Sequence, residues 1–300
     1  MTSIRNILTS YSLPERILRH RWLVPIVLLT ILVLYHYSVA LEVAQQIATP
    51  VNAWDVVVDL LNSRLSIHHG LTNLLIFLVS DISLLEEFDH PLLLKAGSRW
   101  RWFQVQAGCI FAIVGLYVAL IVVIILGVTI TTIPWDLAWS PAAAPILNRQ
   151  GLPANGYLAL SPLTTVLFML TLLGLAWIGI SVVVSAITLT TQKSVFGFAA
   201  GLALNYSTLI IWLNDIHSPL LDKLWIHQQM FLWRTDVTGS LIGLFAQSVL
   251  YWVVWIMISM IALWSVCRSI DIFRKNSTSR YCLRWIILHV ADIQNMAFVY

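Results

Sequence analysis

Five stretches of this 300-residue chain run for twenty residues or more without an Asp, Glu, Lys or Arg: Trp22–Leu41, Ala107–Ile130, Pro162–Thr190, Ser194–Leu213 and Gly239–Cys267. A helix needs about 20 apolar residues to cross the hydrocarbon core of a bilayer, so each stretch is expected to form a spanning helix. Composition agrees. Only 10% of the residues are charged, against about 25% in an ordinary soluble domain. A sixth stretch, Leu65–Ser80, has 16 residues and carries His68, His69 and Asn73; it reaches full length only by continuing past Asp81.

Charge placement favours counting that sixth stretch. With six spans both termini share one side. That side then holds Arg5, Arg16, Arg19, Arg21, Lys95, Arg99, Arg101, Lys193, Arg268, Arg274, Lys275, Arg280 and Arg284, thirteen of the seventeen basic residues. Arg64, Arg149, Lys223 and Arg234 remain opposite. Lys and Arg mark cytoplasmic loops. The expectation is an all-α integral membrane protein with six transmembrane helices near 22–41, 65–82, 103–130, 162–190, 194–213 and 239–267, with N and C termini cytosolic. The net charge of +3 then reflects topology, and no nucleic acid is expected as a partner.

The segments between spans also carry pattern. In residues 1–21, Ile4, Ile7, Leu8 and Tyr11 recur at helical spacing opposite Arg5, Asn6 and Thr9, and Pro14 breaks the run. That reads as an N-terminal helix lying in the cytosolic interface, with a frayed basic tail as the alternative. Ser38-Val-Ala40 weakly resembles a signal-peptide cleavage site, but the apolar run is long for a signal sequence. Thr49-Pro50 reads as a cap and first turn. After it, Val51, Trp54, Val58 and Leu61 share one helical face, and Asn52, Asp55, Asp59 and Asn62 the other. This is the pattern of a surface-lying amphipathic helix. Pro134, Pro141, Pro145, Pro153 and Pro162 make 131–162 an expected irregular loop, with Trp135 and Trp139 at headgroup depth. The 214–238 connection, with Trp225, Phe231 and Trp233, is expected to dip into the outer leaflet. Residues 268–300 form a cytosolic tail with an apolar patch at Leu283–Val290.

A search for catalytic chemistry is negative. Cys109, Cys267 and Cys282 have no pair spacing that implies a disulfide framework or a zinc site. His68-His69 lacks a third ligand at regular spacing and reads as a polar patch near the external leaflet, so no metal site is expected. Glu86-Glu87 resembles the paired glutamates of intramembrane CAAX-type proteases, but Pro91 stands where those enzymes need an arginine. No lysine lies in a phosphate-binding glycine loop. Asn276-Ser-Thr is a glycosylation sequon on the expected cytosolic side. Asp81 caps the helix beginning near Leu84 or pairs with Arg99 or Arg101, a reading that outweighs a proton relay.

The segment from Ser80 to Trp102 carries the clearest functional signal. Ser83 and Glu86 have the spacing of a capping box. Pro91 suits the start of a second short helix, with Asp89 or His90 as its cap, and Gly97 suits its end. Two capped turns exceed what a connector needs and suit the docking of a soluble partner. The string Asp81-Ile-x-x-Leu-x-Glu-x-Phe-Asp-His-Pro-Leu-Leu-Leu-Lys-Ala-Gly-Ser-Arg resembles the segment after the second span in membrane subunits of bacterial ABC-2-type exporters. Phe88, Pro91, Leu92, Gly97, Ser98 and Arg99 match that pattern. Asp89 replaces a glutamate, His90 an asparagine, and Lys95 keeps the basic character. The layout is similar too: an interfacial N-terminal helix, six spans, a long loop after the third and a compact turn at Thr191–Lys193. The apolar C-terminal tail departs from it.

The resemblance implies the transmembrane subunit of an ATP-driven exporter in a bacterial plasma membrane. Cytosolic ABC ATPase subunits, binding ATP–Mg, and a second membrane subunit, identical or different, would be its partners, with no cofactor in this chain. The ATPase-coupling element would comprise Asp81, Glu86, Glu87, Phe88, Asp89, His90, Pro91, Leu92, Leu93, Lys95, Gly97 and Arg99. Tyr35, His36, Asn73, Asn205, Gln247 and Tyr251 are candidate polar residues of the translocation path. An amphipathic peptide, drug or lipid-like cargo fits their setting. The alternative is an ATPase-independent secondary transporter or a membrane assembly or accessory protein. Such a carrier usually has ionisable groups within its spans, and the five charge-free stretches have none.

Overall fold

In a computed structural model of the chain, residues 20–80, 98–149, 157–213, 226–231 and 241–269 are described. Helices form almost all of these residues, and no strand occurs among them. A 3₁₀ turn at His20–Trp22 leads into α1 (Leu23–Ile47). The helix runs six residues beyond the charge-free stretch, past Glu42. It stops where Ala48 adopts left-handed backbone angles (φ 51°), and the Ala48 N–H returns to the carbonyls of Ala44 and Gln45. Helix α2 (Ala53–Asn62) follows, then a π-helix (Ser66–Thr72) that continues as α3 (Asn73–Val79). Helices α4 (Arg99–Thr129), α5 (Ala143–Arg149), α6 (Pro162–Thr191), α7 (Ser194–Leu213), α8 (Ile226–Met230) and α9 (Leu241–Ser269) complete the order.

Caps explain several of these boundaries. The Ser98 hydroxyl accepts from the Arg101 N–H at the start of α4. Ser161 does the same for Thr164 at the start of α6, where Pro162 occupies the position at which its missing N–H costs nothing. Gln192 (φ 55°) ends α6 and lets the chain reverse into α7 at Ser194. Four helices, α1, α4, α6 and α9, are long and apolar enough to cross a membrane. The 20-residue α7 runs beside them along α6.

Contacts along α6 give the direction of its neighbours. Asn62 meets Met169, Thr72 meets Trp177, and the Ser80 carbonyl accepts from Thr188. The chain from 62 to 80 therefore descends α6 in parallel with it. At one end Arg21 lies over the Phe77 ring, 5.5 Å from its centroid, and the Arg99 guanidinium donates to the Arg268 carbonyl. Trp100, Phe103 and Trp264 cluster there as well. This basic end gathers Arg21, Arg99, Arg101, Lys193 and Arg268 at the termini of α1, α4, α6, α7 and α9. The opposite, loop end holds residues 48–52, 130–142 and 157–161.

Helix α6 is the mast of the bundle. Tyr117 of α4 meets the ring of Trp177 edge-on, and Trp252 of α9 is fully buried in the same core. Close approach needs small residues. A Cβ on Gly179 would lie 2.8 Å from Trp255 Cδ1, and one on Gly201 of α7 would lie 2.7 Å from Ile76 Cγ2 and 2.8 Å from Val184 Cγ2. Gly197 and Gly201 are four residues apart on the same face of α7, the small-x-x-x-small spacing that lets apolar helices touch along their backbones.

Three expectations are corrected. Asn52, not Thr49-Pro50, caps α2, through a capping box with Asp55. Helix α2 is not surface-lying: its apolar side packs into the core, and Asn52, Asp55, Asp59 and Asn62 are buried too. Its polar face escapes solvent because other protein groups answer it. Asn52 donates to the Asp136 and Ala138 carbonyls, and Ser140 donates to Asp55. Finally, the proline-rich segment contains a helix, α5, whose Ile146 and Leu147 are buried under α1 and α2. The expected N-terminal helix lies outside the described residues but for its last two, and the tail lies outside them beyond Ser269.

Candidate functional site

A single residue separates α2 from the helix that follows. Ser63 takes extended angles (φ −68°, ψ 105°), its N–H closing α2 on the Asp59 carbonyl while its own carbonyl accepts from the Ile67 N–H. Around this break, polar side chains converge. His36, mid-way along α1, reaches Asp59 Oδ2 from Nδ1 at 2.6 Å and Ser66 Oγ from Nε2 at 2.7 Å. A carboxylate can only accept, so Nδ1 carries a proton; with that tautomer Nε2 is the acceptor for the Ser66 O–H. The Ser63 hydroxyl donates to Ser66 Oγ at 2.9 Å. His36, Asp59 and Ser66 are 2%, 3% and 7% exposed. Burying a carboxylate is costly unless it is hydrogen-bonded to a cationic or donor partner, and here His36 is that partner.

The π-helix adds a second cluster on its α7 side. Its wider turn carries the consecutive His68 and His69 toward α7. His68 Nδ1 donates to Asn205 Oδ1 at 2.6 Å, while Asn205 Nδ2 donates to the His68 carbonyl at 2.8 Å and to Asn73 Oδ1 at 2.9 Å. Asn73 Nδ2 donates to the Tyr206 hydroxyl at 2.6 Å, and His69 Nδ1 meets that hydroxyl at 2.9 Å. His68 and Asn205 are buried, whereas His69 faces outward and Asn73 and Tyr206 are half-buried. π-Helical turns are rare and recur at functional sites. Here the turn presents one exposed and two half-buried polar groups backed by a buried, hydrogen-bonded layer.

Of the six residues expected along a translocation path, Asn73 and Asn205 meet directly, and His36 lies in the neighbouring cluster around the same break. The other three are elsewhere. Tyr35 is 56% exposed on the outer face of α1. Gln247 is exposed on α9, and Tyr251 lies against Trp252 and Trp255. Asp59, Ser66, His69 and Tyr206 are the additions. The repeated Asp and Asn of α2 and the His68-His69 pair were visible signals, but their partners come from α1 and α7, distant in sequence.

At the loop end, Asp55 sits in the first turn of α2. Its Oδ2 accepts from the Asn52 N–H and the Ser140 hydroxyl, and its Oδ1 has no partner among the described residues. Burial pushes its carboxyl above the usual range, partly offset by those two bonds. Burial likewise raises the phenol of Tyr157, whose hydroxyl is unpartnered among the described residues. The expected coupling residues from Asp81 to Gly97 lie outside the described residues; Arg99 is described, and holds the end of α9. No group of three or more His, Cys, Asp or Glu suited to a metal occurs among the described residues.

Compared with known protein families, curated proteins and solved structures, the chain matches none. What the structure defines is a class: among the described residues every element is helical and four helices are long and apolar enough to cross a membrane, compatible with a multi-pass membrane protein.

Proposed function

We propose that this chain is the transmembrane subunit of an ATP-driven exporter, with both termini and residues 81–97 in the cytosol. The observation that carries the reading is at the basic end. Ser80, bonded to Thr188, and Ser98, which caps α4, both lie there beside Arg21, Arg101, Lys193 and Arg268. The segment between them is the one that resembles the docking element of ABC-2-type permeases, and basic residues favour the cytosolic side. In this reading Phe88, Pro91 and Leu92 seat in an ATPase groove, and Glu86 and Asp89 set register through charge. The two-sided polar seam at the helix break would supply the cargo contacts. An amphipathic peptide, drug or lipid-like molecule suits a bundle whose remaining faces are apolar.

The test is co-purification with an ABC ATPase encoded beside this chain, followed by ATP turnover in lipid. Phe88→Ala should weaken the complex by about 2 kcal/mol, the scale of a buried aromatic anchor, and Asp89→Arg should disturb it through the wrong charge. His217→Ala should leave assembly intact. Wild-type assembly and turnover in both loop variants would reduce the loop to a connector. One observation favours a second reading. The pair Asp59–His36 lies inside the bundle, where carriers keep ionisable groups. Uptake or efflux in proteoliposomes driven by a proton gradient, with no ATPase present, would select that carrier.

A further inference from the structure

We propose that Ser66, His36 and Asp59 form a serine-nucleophile site that reacts with acyl esters presented by the membrane. The inference is independent of the exporter reading. Three elements, the π-helix, α1 and α2, deliver a hydroxyl, an imidazole and a carboxylate in the order that activates a serine. The carboxylate holds Nδ1–H at 2.6 Å, and Nε2 faces the hydroxyl at 2.7 Å. That arrangement is recognised by geometry and roles, whatever the order in sequence.

A purely structural histidine needs two partners of any kind, and a neutral acceptor would hold Nδ1–H without the desolvation cost of a carboxylate. What an aspartate adds is stabilisation of the imidazolium that forms when the ring takes a proton. Ser63 completes the arrangement. Its hydroxyl donates to Ser66 Oγ and its oxygen accepts the Ser66 N–H at 3.3 Å. The Ser66 proton is thereby directed to His36, and one lone pair of its oxygen stays available for attack.

The surroundings select the substrate class. Leu65, next to the nucleophile, is 67% exposed, and Tyr35, edge-on to the His36 ring, faces outward. The site thus lies just beneath aliphatic and aromatic surface, a setting that suits a fatty acyl chain, although Ser66 itself is buried and the helix break must open to admit it. In the reaction, Ser66 Oγ bonds to the ester carbonyl carbon and passes its proton to His36 Nε2. The bond from that carbon to the alkoxy oxygen then breaks, and His36 returns the proton to the leaving alcohol. Water next attacks the acyl-serine, giving its proton to His36. As the bond from that carbon to Oγ breaks, His36 returns this proton to Ser66 Oγ, which releases the carboxylic acid and restores both side chains.

A fluorophosphonate probe applied to the full chain in lipid nanodiscs tests the proposal. Peptide mass spectrometry should find the adduct on Ser66, and p-nitrophenyl laurate should be hydrolysed without any ATPase. Ser66→Ala should abolish both. Asp59→Asn, which disfavours the required tautomer, should slow labelling by on the order of 10⁴-fold. Ser38→Ala, whose hydroxyl bonds the Tyr35 carbonyl on the outer side of α1, should label like the native chain. A folded native chain that acquires no adduct at Ser66 overturns the proposal, as does an equal labelling rate in His36→Gln. Neither result bears on ATPase assembly, so the two readings fail separately.

Discussion

The contact of α7 with α6 and α3 and the contact of α1 with α2 both bring helices together inside an apolar bundle, by opposite means. Along α7, Gly197 and Gly201 remove side chains, so that Ile76 and Val184 come within 2.8 Å of where a Cβ of Gly201 would be. Along α1, His36 reaches out to Asp59 and Ser66. The first contact depends on shape and dispersion, which forgive little added volume. The second depends on each polar group keeping its partner, because an orphaned one is far from water. The difference shows which substitutions each contact tolerates. The glycine contact accepts deletion of neighbouring bulk better than addition. The polar contact accepts replacement of all its members better than removal of one.

The largest effect is expected from splitting the polar contact. Asp59→Ala leaves His36 buried without its carboxylate and should destabilise the chain by about 3–5 kcal/mol, read by reversible unfolding in mixed micelles. The pair His36→Leu with Asp59→Leu should recover much of that loss. If the double change is as damaging as the sum of the singles, the two contacts do not differ in kind.

Adding volume to the glycine contact comes next. Gly201→Val should cost about 1–3 kcal/mol, since Ile76 and Val184 are β-branched and stiff. Trimming the opposing side chain in Ile76→Ala with Gly201→Val should restore part of it. No recovery would mean that the backbones, not these side chains, set the spacing.

A loss of similar size, about 2 kcal/mol, is expected for Asn205→Ala. It strips the partner from His68 Nδ1, the His68 carbonyl and Asn73 Oδ1 at once. Thermal melting should show it, and Asn205→Ser should rescue little because one hydroxyl cannot span three groups.

The smallest effect depends on pH. The Asp55 carboxyl is raised in the folded chain, so the fold binds its proton more tightly than the unfolded chain does. That contribution is complete below about pH 4, the usual carboxylate range, and is lost as pH rises through the raised value. The stability of Asp55→Asn relative to the native chain should therefore improve with rising pH. A difference flat from pH 4 to 8 would show that the two hydrogen bonds at Oδ2 outweigh burial.

Charge-free runs made the long helices legible, because a bilayer demands both length and the absence of charge, and both are local properties. The caps at Ser98 and Ser161 are equally local, yet only the structure brought them out. Helix α2 shows where legibility stops. The sequence divides its faces into apolar and polar, and by itself points the polar face to water. Only the positions of His36, Ser140 and the 136–138 backbone reveal that protein replaces the water. The same limit applies to the path residues. Asn73 and Asn205 were selected as polar groups in apolar stretches, but so were Tyr35 and Gln247, and nothing local separates the inward pair from the outward one.

What the sequence alone determined, then, is that the chain is helical and where α1, α4, α6 and α9, the four described helices long and apolar enough to span, lie. Those properties follow from backbone hydrogen bonding and from transfer of side chains out of water, each settled within about one helix length. The tertiary structure decided the rest: that Leu65–Ser80 opens as a π-helix behind a one-residue break, and that two histidines, 36 and 68, find an aspartate and an asparagine from other helices. Such pairings join residues 23 and 137 positions apart. They exist only in the packed bundle, because hydrogen bonds of a few ångströms cannot be read from sequence periodicity.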